Sequence, residues 1–291
     1  MKRLRSPWIA AAMCFVILHH GAASAADKPL AYERLYVFGD SYSDIGEGYL
    51  DGNGPTAVAY LAERLGLKFV PSTATDANAN SIDFAISGAQ TGSGKGTAIE
   101  GALLGVGMRI QVDDFSTRVH AKAIQFNPQT TLFYLAGGLN DGNLTSKTTV
   151  TNLKDEIRTL YALGGRRFEV ALLPTAIPSF SAAGKRLNPE LTHLPVELSQ
   201  ELAGSRVFLS QWGPFFDAVM EHPARYGIVN TTDACAGRKL FHEDTTPCAA
   251  PQTYFYYHKG HPSTAVHRAV GDMLYQEITA RPDAEYAIPC P

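Results

Sequence analysis

Two hydrophobic rhythms alternate along the chain. Short apolar runs over 35–38, 82–86, 131–135, 168–173 and 206–209 have no helical spacing and mostly break at Gly or Pro, which predicts buried strands. Between them the period lengthens. Val58, Leu61, Ala62 and Leu65 recur every three or four residues after Gly54 and Pro55 and stop before Gly66. Residues 110–123 read as helical, and Leu153, Ile157, Leu160 and Tyr161 mark an amphipathic helix that stops at Gly164 and Gly165. Further helices are predicted over 212–220 and over 264–278, the latter with Val266, Val270, Leu274 and Ile278 on one face. Strands followed by helices imply an α/β fold with a parallel sheet covered on both faces and chemistry in the loops at the strand ends. Segments 88–107 and 176–195 are weakly patterned and read as long loops. No repeat is visible, so one domain is expected over 26–291.

The first 25 residues differ from the rest. Lys2, Arg3 and Arg5 precede an apolar run over 8–18, and Ala23, Ser24 and Ala25 offer small residues for cleavage. A helix of that run spans about 16 Å, against about 30 Å for a bilayer core, so it predicts a signal peptide removed after Ala25 and not an anchor. Its loss removes three basic residues and no acid, taking the net charge from −3 to −6. With 25 Lys and Arg against 28 Asp and Glu, and the basic residues scattered, no nucleic-acid groove or polybasic membrane patch is expected. The chain is 45% hydrophobic and 18% charged, enough for a sizeable core. Export implies an oxidising compartment. Cys235 and Cys248 would close a short loop containing Gly237 and Pro247, and a disulfide between them is expected. Cys14 leaves with the signal segment, and Cys290 is left over, either free, paired between chains or competing for one of the other two.

Ser41 follows Phe38, Gly39 and Asp40 at the predicted end of the first strand, where a nucleophile would be exposed. Gly39-Asp40-Ser41-Tyr42-Ser43-Asp44 resembles the first sequence block of the SGNH, or GDSL, hydrolases, with Tyr42 where Leu is commonest. Asp83-Phe84-Ala85-Ile86-Ser87-Gly88-Ala89-Gln90-Thr91 is similar to the second block, Gly138-Leu139-Asn140-Asp141 to the third, and His261-Pro262-Ser263 to the last. The segment from Pro223 to Cys235 resembles the one preceding that last block in the secreted lipase, lecithinase and hemolysin branch. The resemblance implies a flavodoxin-like three-layer α/β/α sandwich with a parallel sheet of about five strands. It also implies Ser41 as nucleophile, His261 as base, and the Ser41 amide, Gly88 amide and Asn140 side chain as oxyanion donors. The chemistry fits these residue types: a serine hydroxyl needs a base to take its proton, an imidazole titrates near neutral pH, and donors fixed on the developing oxyanion supply a large share of the rate.

At one position the sequence departs from the family. Its members usually carry Asp three residues before the catalytic His; here that residue is His258. Replacing the orienting acid in a serine protease costs about 10⁴ in kcat. A neutral His258 could accept a hydrogen bond from His261 but brings no negative charge. Three arrangements would account for the substitution: a carboxylate from elsewhere, such as Glu243 or Asp244; a backbone carbonyl or bound anion orienting His261; or a site that has lost much of its activity. The second is favoured, since serine hydrolases keep substantial catalysis without the acid.

Other signals are weaker. His258, His261 and His267 have no acidic or cysteine ligand beside them, so neither metal nor cofactor is expected. The stretch Gly92-Ser93-Gly94-Lys95-Gly96-Thr97 misses two positions of a phosphate-binding loop. Asp44 and Asp141 suggest a two-carboxylate glycosidase, but the hydrolase blocks account for both. The aromatics at 254–257 read as packing against the sheet. The expectation is a secreted or periplasmic carboxylic ester hydrolase whose partner is a small-molecule or lipid ester, with no nucleic acid, no integral membrane segment and at most transient contact with a lipid surface. A lipid acyl ester is the leading substrate and a short-chain or carbohydrate acetyl ester the alternative. Acyl transfer could use the same intermediate, and a weakened hydrolase fold serving as a binding module is the reading from another class.

Overall fold

The computed structural model describes residues 31–76 and 79–280. The signal segment, Cys14 and Cys290 lie outside them. Strand β1 (Arg34–Gly39) is buried on both faces from Leu35 on, as its unbroken apolar run requires. Helix α1 (Ala57–Arg64) follows, then β2 (Phe69–Pro71) and β3 (Ser81–Asp83). A hairpin, β4 (Lys95–Ile99) and β5 (Ala102–Val106), leads into α2 (Met108–His120). The alternation resumes with β6 (Thr131–Ala136), α3 (Ser146–Ala162) and β7 (Arg167–Ala171). Helices α4 (Ser181–Leu191) and α5 (Leu194–Glu201) precede β8 (Arg206–Ser210) and α6 (Trp212–Glu221). A small sheet of β9 (Asn230–Ala234), β10 (Tyr254–His258) and β11 (His261–Pro262) precedes the last helix, α7 (Thr264–Thr279).

The main sheet is parallel throughout, in the order β2-β3-β1-β6-β7-β8. Helices α1, α6 and α7 pack together as one layer, and α2, α3 and α4 as the other. From β1 the chain goes first to the edge strand β2, comes inward to β3 beside β1, and then crosses to the opposite side of β1 with β6. This reversal opens a crevice at the carboxyl ends of the strands, the usual ligand position in open α/β sheets. Gly39 lets β1 and β6 close up there, because a Cβ on it would stand 2.7 Å from the Ala136 carbonyl oxygen.

The sheet has six strands, not about five, and the extra one is β2, whose three half-buried residues end in Pro71 and are too few to show a period. The strand expected over 82–86 ends at Asp83, although Phe84 and Ile86 still donate backbone hydrogen bonds to Val37 and Gly39. Segment 88–107 is a loop only in part: it holds a hairpin in which only Val106 is buried and whose apolar residues are interrupted by Gly96, Gly101 and Gly105. Segment 176–195 likewise contains α4, masked by Gly184 and Pro189, two poor helix formers. Gly184 has a packing reason, since a Cβ there would meet the Pro174 carbonyl oxygen at 2.2 Å.

Candidate active site

Three loops at the carboxyl ends of β1, β3 and β6 carry Ser41, Gly88 and Asn140, and the turn between β10 and β11 delivers His261. The Ser41 Oγ lies 2.8 Å from His261 Nε2, although 220 residues separate them in sequence. Each loop is tied down by a buried carboxylate. Asp44 accepts backbone N–H bonds from Gly46, Glu47, Tyr49 and Ser87, which joins the loop after Ser41 to the one holding Gly88. Asp141 accepts from the Thr91 amide and from the Thr91 and Thr149 hydroxyls, fixing Asn140 against the same loop. These bonds occupy both acids of the rejected glycosidase reading.

Gly88 has φ +80°, a left-handed conformation that a side chain would strain. The Ser41 and Gly88 amides donate to no acceptor among the described residues. Asn140 Nδ2 donates to the Ala89 carbonyl at 3.0 Å, which uses one of its two N–H groups. Tyr42, the family departure in the first block, donates its hydroxyl to the Gly260 carbonyl at 2.7 Å and packs its ring 5.5 Å from that of His261. A Leu could not make that bond. Gly260 itself has φ +78° in the two-residue turn that sets His261 opposite His258.

Residues that sequence reading did not single out complete the surroundings. Asp51, in the loop between β1 and α1, places Oδ1 2.7 Å from His258 Nδ1 and 3.0 Å from Arg238 Nε, and Oδ2 3.3 Å from His261 Nε2. Arg238 Nη2 lies 2.8 Å from His261 Nδ1 and donates to the Lys259 carbonyl, which is itself 3.3 Å from Nδ1. His258 therefore bonds Asp51 and not His261. Glu243 and Asp244, the carboxylates considered from sequence, turn elsewhere, to the amides of Arg238 and Thr246. No signal in the chain marks Asp51; it sits in an aperiodic Gly-rich stretch.

Burial works against the Asp51 charge, but the hydrogen bond from His258 and the nearby His261 and Arg238 outweigh it and hold the carboxyl below its usual value. Burial is also the main influence on His261 and lowers its pKa; the Asp51 charge opposes that shift and Arg238 reinforces it. A cavity of about 170 Å³ opens over Ser41, lined on its apolar side by Leu104, Leu240 and Phe241. The disulfide between Cys235 and Cys248 closes the loop that carries Arg238, Leu240 and Phe241. A larger cavity of about 500 Å³ between α6 and α7 is mostly apolar and shares no lining residue with the one over Ser41.

The sequence model of the GDSL-like lipase/acylhydrolase family matches residues 35–274. The chain belongs to that family. Membership makes it an ester hydrolase. A GDSL esterase/lipase of Arabidopsis thaliana is 22% identical over 89% of this chain and 90% of its own length. Among solved structures, a lipolytic G-D-S-L family protein of Veillonella parvula aligns with a TM-score of 0.45 at 13% identity, over 85% of this chain and 98% of that one. A family 3 carbohydrate esterase of Clostridium thermocellum aligns with a TM-score of 0.47 at 14% identity, over 84% and 94%. No helix among the described residues of this GDSL-family chain is long and apolar enough to cross a membrane.

Proposed function

We propose that the chain is an exported serine esterase that hydrolyses carboxylic esters through an acyl-enzyme on Ser41. The observation that carries this reading is the 2.8 Å contact between Ser41 Oγ and His261 Nε2, at the mouth of a crevice that also holds the free Ser41 and Gly88 amides and the Asn140 amide group. In the first step Oγ attacks the ester carbonyl, Nε2 takes the hydroxyl proton, and the three N–H donors receive the oxyanion. The proton then passes to the leaving alcohol, and water repeats the sequence on the acyl-enzyme.

The cavity over Ser41 is smaller than the roughly 300–1,000 Å³ of most ligand sites, which favours an acyl group of a few carbons over the long lipid chain expected from sequence. One observation favours the lipid ester: Phe241, on the cavity wall, is 47% exposed and would cover a longer chain running outward. Periplasmic or extracellular residence is supported by the signal-like residues 1–25 and by the disulfide, which suits an oxidising compartment.

The test is labelling with a fluorophosphonate, which reacts only with an activated serine, followed by a p-nitrophenyl ester series from acetyl to palmitoyl. Stoichiometric labelling at Ser41, lost together with turnover in Ser41→Ala, is the expected result. Turnover should peak at short acyl chains; a peak at eight carbons or more would restore the lipid reading. A protein that neither labels nor hydrolyses any ester would end the proposal.

A further inference from the structure

We propose that Asp51 is the positioning carboxylate of this site, replacing from the β1–α1 loop the acid absent at position 258 and stabilising the imidazolium that forms on His261. The inference rests on the Ser41–His261 reading and adds to it where the negative charge comes from.

The geometry differs from the family arrangement in which nitrogen is served. Asp51 Oδ2 stands 3.3 Å from Nε2, the nitrogen that receives the Ser41 proton, while Nδ1 faces the Lys259 carbonyl and Arg238 Nη2. Before reaction Nε2 must offer a lone pair to the Ser41 hydroxyl, so the reactive ring carries its proton on Nδ1 and gives it to the Lys259 carbonyl; Arg238 Nη2, a donor without a lone pair 2.8 Å from Nδ1, must then direct its hydrogens to Lys259 and not to the ring. As the Oγ–carbon bond forms, the carbonyl π pair moves onto oxygen, the Oγ–H bond breaks and its proton goes to Nε2. The new N–H⁺ then has Asp51 Oδ2 beside it. A carboxylate that faces a lone pair in the ground state and an N–H⁺ in the transition state interacts better in the latter, which is the condition for accelerating the step. When the tetrahedral intermediate collapses, Nε2 returns its proton to the departing alkoxide and Asp51 keeps its charge throughout.

Two neighbours hold the carboxylate in place. His258 Nδ1 and Arg238 Nε both donate to Oδ1, which leaves Oδ2 for the His261 side, and the Asp51 side chain is only 9% exposed. His258 thus serves the site through Asp51, and the substitution at the family's acid position becomes one half of a two-residue exchange. Arg238 also clamps the Lys259 carbonyl from the other side. The titratable and charged groups around His261 are Asp51, Arg238, His258, His267 and the Tyr42 phenol. Among the first three, which act on it directly, only Asp51 favours the protonated ring.

The experiment uses the full exported chain and compares Asp51→Asn, Asp51→Glu and the double variant Asp51→Asn/Arg238→Gln with wild type on p-nitrophenyl acetate across pH. The wild type is first labelled at Ser41 with a fluorophosphonate; failure there overturns the serine-esterase reading itself. Given labelling, Asp51→Asn should lose about 10²–10³ in kcat with little change in KM, as for loss of a charge-stabilising group. The acid limb of its kcat/KM profile should move to lower pH, because the charge that favours imidazolium is gone. Asp51→Glu should recover part of the rate. The double variant keeps the test open where an unpaired Arg238 unfolds the single one, and it should show a similar loss of kcat. A folded Asp51→Asn or double variant within threefold of wild type, with the acid limb unmoved in the single variant, would overturn the inference while leaving Ser41 and His261 in place. Failure of every Asp51 variant to fold would make the residue an anchor of the loop and overturn it equally.

Discussion

Asn140 spends one side-chain N–H on Ala89 and keeps the other, so the oxyanion role proposed for it can be tested apart from the fold. Asn140→Ala is expected to lower kcat by about 10²–10³ with a smaller change in KM, because a donor aimed at the oxyanion acts mainly in the transition state; steady-state kinetics on a single ester checks this. An unchanged kcat would remove Asn140 from the oxyanion hole. Tyr42 shows how a residue-level departure can be read only with its partner in view. In the sequence it is an unusual neighbour of Ser41; in the fold its hydroxyl reaches Gly260, 218 residues away, and steadies the turn that presents His261. Ser41, Gly88, Asn140 and His261 were all legible as candidates because each sits in a short block of its own. Asp51 was not, since an aspartate among glycines in a loop has the same local appearance whether it binds solvent or a histidine.

At the level of elements, the sheet strands and the long helices could be read from their periods, because burial on both faces demands continuous apolar runs and burial on one face demands helical spacing. The missed elements break those premises. The β4–β5 hairpin buries little, and α4 accepts Gly184 for the sake of close packing against Pro174 and carries Pro189 near its end. The segment between Cys235 and Cys248 has little regular structure of its own, yet it forms one wall of the cavity over Ser41. Removing the bridge in Cys235→Ala/Cys248→Ala should destabilise the chain by up to about 3 kcal/mol through the freed unfolded state. Because Leu240 and Phe241 ride on that loop, KM should rise more than kcat falls. Thermal melts with and without reductant, paired with kinetics on one ester, test both parts; an unchanged KM would show that the wall holds without the bridge.

Over the whole molecule, the stability profile with pH reflects groups the fold has buried. Asp40 is fully buried with one carboxylate oxygen unpartnered, and burial pushes its pKa up to about 7, with Asp141 and Asp44 adding to the effect. Its folded pKa is raised, so its contribution to stability is complete below about 4 and is lost as pH rises to about 7. Burial lowers His267, which accepts the Ala57 amide, to about 3, so the fold loses stability as pH falls through the interval below 6.5. Asp40→Asn keeps the acceptor for the Tyr42 amide and removes the ionisation, and should raise stability at pH 8 relative to pH 5 by about 3 kcal/mol compared with wild type. Denaturant titrations at the two pH values check this, and an equal effect at both would mean that Asp40 is ionised throughout. The chain alone determined the α/β alternation and the four blocks of the hydrolase family, because periodicity and short motifs are local properties of a linear polymer. Which carboxylate meets His261, which loop walls the cavity and how large that cavity is depended on where separate loops arrive. Asp51 and His258 are 207 residues apart, and their 2.7 Å contact exists only because the fold brings the loop after β1 together with the end of β10, a strand of the separate small sheet.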